Sequence, residues 1–506
     1  MNLTPIARLY FNHIDKATLR GLADAEQSQL RIFKSLISYG RDTAWGHEHS
    51  YDSIRTYDDY VSRVPVSAYE DLHSWIMRMV GGESNVLLPG RVNRFAQSSG
   101  TSDGKSKYIP LPSRSLQQCH YKGSSKVVAR YLANHPDSRI FSGKSFILGG
   151  SFANELQPRN GLIAGDLSAS LIDYINPVAN LVRVPSKEIA LMERWEEKLT
   201  RLVESTSGCN VTNISGVPSW FYTVLKRILE KNGAHEIHQI WPSLEVFFHG
   251  GIAFGPYREQ YNAIIDPSRM RYMETYNASE GFFALQDDPA NPSMALLMDV
   301  DVFYEFIELS SLDDAVPVAH PAWDVQAGRV YALAITSSNG LWRYLIGDTV
   351  EVTSVSPLRI RIAGRTRSFI NAFGEELMVH NADTAVAAAA KATGAEVADY
   401  TAAPVYATAT SRGRHQWLIE FRRRPESLER FSALLDAELQ RVNSDYQAKR
   451  SGDIFLAGPD VRAVAEGTFN RWLGATGKLG GQRKVPRLKN DRSVIDAILK
   501  MLNEKV

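Results

Sequence analysis

Apolar residues recur at helical spacing from the start of the chain. Leu3, Ile6, Leu9, Tyr10 and Ile14 predict an amphipathic helix within the first twenty residues. A second apolar face, Phe33, Leu36, Ile37 and Tyr39, runs into a glycine stop at Gly40. Residues 1 to about 90 therefore read as largely helical. From Phe95 to about Ile362 the pattern changes to short apolar runs, glycine-rich turns and helical stretches. Phe146-Ile147-Leu148, Leu244 to Phe248 and Val330 to Ile335 read as buried strands. Ala190 to Glu204 and Ser219 to Lys231 read as helices. Such alternation predicts an α/β fold built on mixed or parallel sheet.

The pattern changes again near residue 365. Arg359-Ile360-Arg361-Ile362 alternates like a strand, and Ala363 to Arg367 turns, so a boundary is expected between Arg361 and Glu375. Beyond it come an alanine-rich helix (Asn381 to Ala392) and a strand (His415 to Phe421). Leu428, Phe431, Leu435, Leu439, Val442 and Tyr446 are three or four apart and predict one face of a long helix. A basic loop, Lys478 to Lys489, precedes a last helix. The expected division is a large domain of residues 1–365 and a small α+β domain of residues 366–506.

Composition narrows the function. The chain has 506 residues, 44% hydrophobic and 22% charged, with a net charge of +1. No strong global field favours nucleic acid or a membrane surface. Two cysteines, Cys119 and Cys209, cannot make a disulfide scaffold in so long a chain, which favours a reducing compartment. The first twenty residues carry Arg8, His13, Asp15 and Lys16 and lack a signal-peptide core. The run from Met294 to Ile307 is broken by Asp299, Asp301 and Glu305, so no transmembrane segment is expected. The expectation is a cytoplasmic protein.

Four segments could carry chemistry. Ser98-Ser99-Gly100-Thr101-Ser102-Asp103-Gly104-Lys105-Ser106-Lys107 packs hydroxyls, glycines and lysines together. Glycines let backbone N–H groups turn toward an anion, and lysines neutralise it. A Walker A loop would need glycine at position 99, which is Ser99, and no Gly-x-Gly occurs anywhere in the chain. A phosphate cradle and an ordinary solvated turn are both compatible with this composition. In Tyr276-Asn277-Ala278-Ser279-Glu280-Gly281 the ring could cover a base and the carboxylate hold Mg²⁺; the alternative is a strand end and turn. In Tyr344-Leu345-Ile346-Gly347-Asp348 the acid is expected at a strand tip, where it could accept ribose hydroxyls or simply its own backbone. Gln482-Arg483-Lys484-Val485-Pro486-Arg487 is either a solvated basic tail, a nucleic-acid arm or the carrier of a lysine that stabilises developing charge. There is no Gly-x-Ser-x-Gly elbow and no zinc-like His/Cys spacing, and His47 and His49 read as surface residues.

Taken in order, these segments resemble one family. Ser98-Ser99-Gly100-Thr101-Ser102 with Lys107 and Pro110, then Tyr276-x-x-Ser279-Glu280, then Tyr344-x-x-Gly347-Asp348, are similar to the three nucleotide motifs of the Gretchen Hagen family. Its members are auxin-responsive acyl acid–amido synthetases, a branch of the adenylate-forming enzymes. Gln482-x-Lys484-x-Pro486-Arg487 resembles the family's closing motif, and His249-Gly250-Gly251-Ile252-Ala253 its strand and turn beside the adenine. The resemblance implies a large adenylating domain of mixed sheets and helices with a small mobile C-terminal domain. It implies ATP and Mg²⁺ as cofactors, and a carboxylic acid and an amine, normally an amino acid, as substrates. By residue, it implies phosphate contacts from Ser98, Ser99, Thr101 and Lys107, with Ser279 in the second motif and Mg²⁺ on Glu280. Gly250, Gly251 and Tyr276 fall at the adenine, Asp348 at the ribose, and Arg365 near the hinge. Lys484 is implied as the cation that supports pyrophosphate departure. Trp220, Phe221 and Phe248 are candidate walls of the acyl pocket, with ordinary core packing as the alternative. An acyl-CoA ligase is the rival within the same chemistry, and a nucleic-acid-binding protein using the C-terminal basic loop is the rival outside it.

Overall fold

The computed structural model describes the chain except residues 1, 99–106, 153–160, 252–253, 313, 366–368, 371, 373–374, 376, 406–412, 444–445, 448–449, 451–455, 477–483, 490 and 504–506. The described residues divide into two compact units. One holds Met1–Ile346 and Glu351–Arg361; the other holds Gly347–Val350 and Ile362–Val506.

The first unit opens with helices, among them Thr4–Ala23, Ala25–Gly40, Tyr57–Arg63 and Tyr69–Val80. The helix Thr4–Ala23 is the one its apolar spacing predicts, but its buried face is different. Ile6 and Leu9 are 66% and 75% exposed, while Thr4, Asp15, Thr18, Gly21 and Leu22 are buried. Polar partners choose the face. Arg130 reaches Asp15 at 2.8 Å, and the buried Lys126 ammonium donates to Thr18 Oγ1 at 3.1 Å and to Asp299 at 3.1 Å. Buried charges must be paired, so the side carrying Asp15 and Thr18 turns inward against the helix Lys122–Asn134.

The strands, in chain order, are β1 (Arg94–Ser98), β2 (Lys107–Pro110), β3 (Lys144–Ile147), β4 (Ile163–Gly165), β5 (Arg183–Val184), β6 (Val211–Gly216) and β7 (Val246–Gly250). There follow β8 (Arg271–Ala278), β9 (Gly281–Leu285), β10 (Met294–Leu296), β11 (Val302–Glu308), β12 (Ala319–Pro321), β13 (Val330–Ser337), β14 (Leu341–Val355) and β15 (Leu358–Arg365). Strands β2-β1-β4 form a small sheet. A twelve-stranded sheet has the order β12-β11-β13-β14-β15-β10-β9-β8-β7-β6-β3-β5. Its β5-β3-β6-β7-β8 end is parallel throughout, and antiparallel pairing begins at β8-β9.

The parallel end is covered by the helices Trp195–Thr206 and Pro218–Asn232. The second begins with proline at its first position and stops at Gly233, which takes φ +59°. Its Phe221, Val224, Leu225 and Ile228 join Phe146, Ile214, Trp241 and Phe247 in one hydrophobic core. Each such side chain, fully buried, contributes about 1.5–3 kcal/mol. The predicted helix over Ala190 to Glu204 is two pieces, Lys187–Ala190 and Trp195–Thr206.

In the second unit, β16 (Phe369–Ile370) pairs with β17 (Leu377–Met378). β18 (Glu396–Val405), β19 (Arg414–Arg423) and β20 (Asp460–Val464) form a three-stranded sheet, antiparallel then parallel. The helices Val379–Thr393 and Leu428–Val442 share a core with Tyr400, Trp417 and Ile419. The helix expected to reach Tyr446 ends at Val442, where Asn443 leaves helical geometry. Asn443 Oδ1 accepts from the Tyr446 backbone N–H at 2.8 Å, and Tyr446 is still buried, its hydroxyl on Asp436. Both cysteines are free. Among the described residues no helix is long and apolar enough to cross a membrane.

Candidate active site

Five parallel strands end on one edge of the sheet, and chain segments leave that edge side by side. In open α/β sheets this is where ligands bind. Gly149-Gly150-Ser151 follows β3, Val217 to Trp220 follow β6, and Gly251 follows β7. The registers set neighbours: Ile147 pairs with Ser215, Gly216 with His249, His249 with Glu274, and Gly250 with Thr275.

Glycine is required where β7 ends. A Cβ on Gly250 would lie 2.4 Å from the Thr275 carbonyl oxygen, and Gly251 takes φ +79°. One strand over, β8 carries Tyr276 opposite Ala284 and then Ala278 opposite Gly281, so Ser279 and Glu280 form the two-residue turn into β9. Tyr276 and Ser279 are buried, and Glu280 is only 6% exposed. The Tyr276 ring packs edge-on against Phe283 at 5.0 Å. Gly250, Gly251, Tyr276, Ser279 and Glu280 are thus brought together on adjacent strands.

The other expected residues fall elsewhere. Ser98 and Lys107 end β1 and begin β2 as antiparallel register partners. Ser99, Gly100 and Thr101 lie outside the described residues, as do Ile252, Ala253, Gln482 and Arg483. Lys107 Nζ sits 5.3 Å over the Tyr69 ring. Asp348 is buried within β14, not at a strand tip. Gly347 before it takes φ +89°, which turns the backbone without ending the strand. Asp348 and Arg365, the last residue of β15, group with the second unit, as does the exposed Lys484. Trp220 is half-buried at the start of its helix. Phe221 is fully buried against Phe146 at 4.9 Å and Phe247 at 5.5 Å. Phe248, next along β7, points to the opposite face and meets Tyr131 edge-on at 5.4 Å.

His249 opens the segment that resembles the strand and turn beside the adenine, and the other groups here carry no sequence motif. His249 is buried with its ring stacked 4.4 Å from Phe254, and its Nδ1 has no hydrogen-bond partner among the described residues. Burial, helped by the Arg258 charge, pushes its pKa down to about 3. Its register partner Glu274 is pushed up by burial, with Arg258 opposing. The Arg258 guanidinium stacks over Phe254 and Tyr272 at 4.9 and 5.0 Å. Lys198 is buried and donates to the carbonyls of Gly149 and Gly150 at 2.8 and 2.9 Å. Burial lowers its pKa to about 8, with Asp166 opposing. A π-helical segment, Leu116–Tyr121, packs against β9: the Phe282 N–H donates to Cys119 Sγ at 3.2 Å. Beside it His120 is buried, neither ring nitrogen has a partner among the described residues, and burial brings its pKa to about 4. Strand pairing sets His249 beside Glu274, and helix packing brings Lys198 to Gly149 and Gly150 and Cys119 to Phe282.

Comparison with known proteins matches three family domains along the chain. Residues 19–270 match the GH3 family N-terminal domain, 295–365 the central domain and 380–493 the C-terminal domain. The chain belongs to the GH3 family. An indole-3-acetic acid-amido synthetase, GH3.10 of Arabidopsis thaliana, is 24% identical over 88% of this chain and 89% of its own length. Among solved structures, the GH3.15 acyl acid amido synthetase superposes with a TM-score of 0.78 at 18% identity, covering 96% of this chain and 95% of that one. A 2-hydroxyisobutyryl-CoA ligase in complex with 2-HIB-AMP superposes at 0.57 with 14% identity, covering 97% of this chain and 92% of that one. This GH3 chain therefore has the fold of adenylate-forming enzymes.

Proposed function

We propose that this GH3 family member is an ATP-dependent ligase that activates a carboxylic acid as its acyl-adenylate and passes the acyl group to an amine, an amino acid, forming an amide. The observation that carries the reading is the meeting of Gly250-Gly251, Tyr276 and the Ser279-Glu280 turn at the ends of adjacent parallel strands. A glycine-walled, carboxylate-bearing edge of this kind suits a nucleotide whose phosphates need a cation.

Two anions must meet in the first half-reaction, so neutralising charge is the main demand. The substrate carboxylate attacks the α-phosphorus of ATP, the bond to the β-phosphate oxygen breaks, and pyrophosphate leaves. We assign phosphate contacts to Ser98, Ser99 and Thr101, with Lys107 as a further cation. Gly250, Gly251 and Tyr276 take the adenine, Ser279 lies beside the phosphates, and Asp348 takes the ribose. Lys484 supports the departing pyrophosphate, and Arg365 acts near the hinge. The residues suit Mg²⁺: among the described residues no group of three or more acidic, His or Cys side chains could cage a metal, but one hard carboxylate beside substrate phosphates is how this ion is usually held. Glu280 would hold it, and the ion would supply positive charge to the phosphates. In the second half-reaction the amine attacks the acyl carbonyl and AMP leaves. Trp220 and Phe248 are assigned to the acid, whereas Phe221, the third aromatic of the expected pocket, lies in the core on the face of β7 opposite Phe248.

Acid-dependent ATP–pyrophosphate exchange, screened over aryl, indolyl and aliphatic acids, tests the first half-reaction. Exchange with one class of acid supports the reading, and no exchange with any acid contradicts it. Product analysis with amino acids against CoA then decides the acceptor, because CoA ligases share the fold.

A further inference from the structure

The closing segment is held in the second unit by an unusually complete set of contacts, all converging on one arginine. The Arg487 guanidinium lies flat over Tyr400 at 4.6 Å. It reaches Asp383 Oδ1 at 3.0 Å on the helix Val379–Thr393 and Asp399 Oδ1 at 3.5 Å on β18. The Tyr400 hydroxyl donates to the same Asp383 oxygen at 2.7 Å. Burial raises the Asp399 pKa, and Arg487 is the largest opposing influence. One planar fork thus joins a helix, a strand and an aromatic face.

The backbone around it is zipped to β18. The Ala402 N–H donates to the Arg487 carbonyl at 2.8 Å, the Lys489 N–H to the Ala402 carbonyl at 3.0 Å, and Thr401 Oγ1 to the Pro486 carbonyl at 2.7 Å. Val485 is buried against Phe469, Trp472 and Ile495, and Leu488 sits in the core with Trp417 and Phe431. Lys484 is the exposed residue immediately before this anchored stretch.

We propose that Arg487 is the positioning residue for Lys484: its bridge between Asp383 and Asp399 fixes the segment from which Lys484 is presented to the reaction. The proposal rests on the reading of Lys484 as the cation of the adenylation step. Lysine at 487 would keep the charge but could not span two carboxylates and stack on a ring at once. A fixed base shortens the search of a long, flexible ammonium for its target, which lowers the cost of reaching the transition state.

The test is a double-mutant cycle on the full chain, reading each half-reaction separately. Arg487→Lys is expected to lower the turnover of acid-dependent pyrophosphate exchange about tenfold, with the ATP KM changed less than about twofold. Aminolysis of supplied acyl-adenylate should stay at the parent value, and the melting temperature should fall by no more than a few degrees. In a Lys484→Ala background, Arg487→Lys should cause no further loss. Additive losses in that background, or equal losses in both half-reactions, overturn the positioning role while leaving Lys484 in place. Unimpaired exchange in Lys484→Ala overturns the reading of Lys484 and the proposal with it. Asp383→Asn removes one anchor and leaves Asp399, and keeps the test open should Arg487→Lys fail to fold. It should lower exchange selectively, and a loss confined to aminolysis would count against the proposal.

Discussion

Lowering the pH from about 7 to about 5 should destabilise the first unit through two buried histidines. His249 and His120 titrate near 3 and near 4 in the folded chain, against an ordinary value of 6.5. Both folded values are depressed, so below 6.5 the unfolded chain binds more protons than the folded one. Stability is complete above that pH and falls as the pH drops toward the folded values. Each histidine then costs about 1.4 kcal/mol per pH unit, or about 2 kcal/mol between pH 7 and pH 5. The two together come to about 4 kcal/mol, a large part of a domain's usual stability of about 5–15 kcal/mol. Urea unfolding at a series of pH values measures the slope. His249→Phe keeps a ring against Phe254 and removes the titration, so its stability should fall less steeply with acid by about 1.4 kcal/mol per unit. His120→Leu should do the same, and the two effects should add. A pH slope in His249→Phe equal to that of the parent protein would refute the burial argument.

Other consequences follow from the same geometry. Arg343 and Glu305 form a buried pair at 2.9 Å, Tyr57 donates to Glu305, and Arg343 donates to the Val64 carbonyl at 2.8 Å. Arg343→Met leaves Glu305 buried and unpaired and should cost about 3–5 kcal/mol in denaturant unfolding, whereas a change under about 1 kcal/mol would mean that the pair is not desolvated. Phe221→Ala should cost about 3–5 kcal/mol of stability with little change in acid preference. Phe248→Ala should instead alter which acids support exchange, and the reverse pattern would exchange their roles. Lys484→Ala should reduce adenylation more than amide formation from supplied acyl-adenylate, and the opposite order would move Lys484 to the second half-reaction.

Element type was legible wherever one period dominates. The spacing of Phe431, Leu435 and Leu439 marks a helix from local information alone. Which face is buried was not always legible. The helix Thr4–Ala23 follows its apolar spacing, yet the Asp15 ion pair with Arg130 and the hydrogen bond that Thr18 accepts from Lys126, each more than a hundred positions away, choose the inward side. Strand ends were harder still. Asp348 reads as a strand-tip residue because an apolar run and a glycine precede it, but Gly347 absorbs a left-handed φ inside β14 and the strand continues. The candidate site residues were singled out by the order of segments that resembles the family's motifs, since the composition of each segment alone left other readings open. Their company was hidden. Glu274, Arg258, Lys198 and His120 come to this part of the fold only through strand pairing and helix packing, and nothing local marks them. Phe221 and Phe248 read as one aromatic group in sequence, and only the period-two alternation of β7 sends Phe247, with Phe221 against it, to one face and Phe248 to the other.

The central claim is that the Ser279-Glu280 turn brings a carboxylate to the phosphates of ATP while an acid is activated. The most direct measurement is acid-dependent ATP–pyrophosphate exchange by Glu280→Ala, checked for native folding by circular dichroism. The account predicts a folded protein in which exchange is abolished with every acid that the parent enzyme activates. Exchange at the parent rate in folded Glu280→Ala would contradict it.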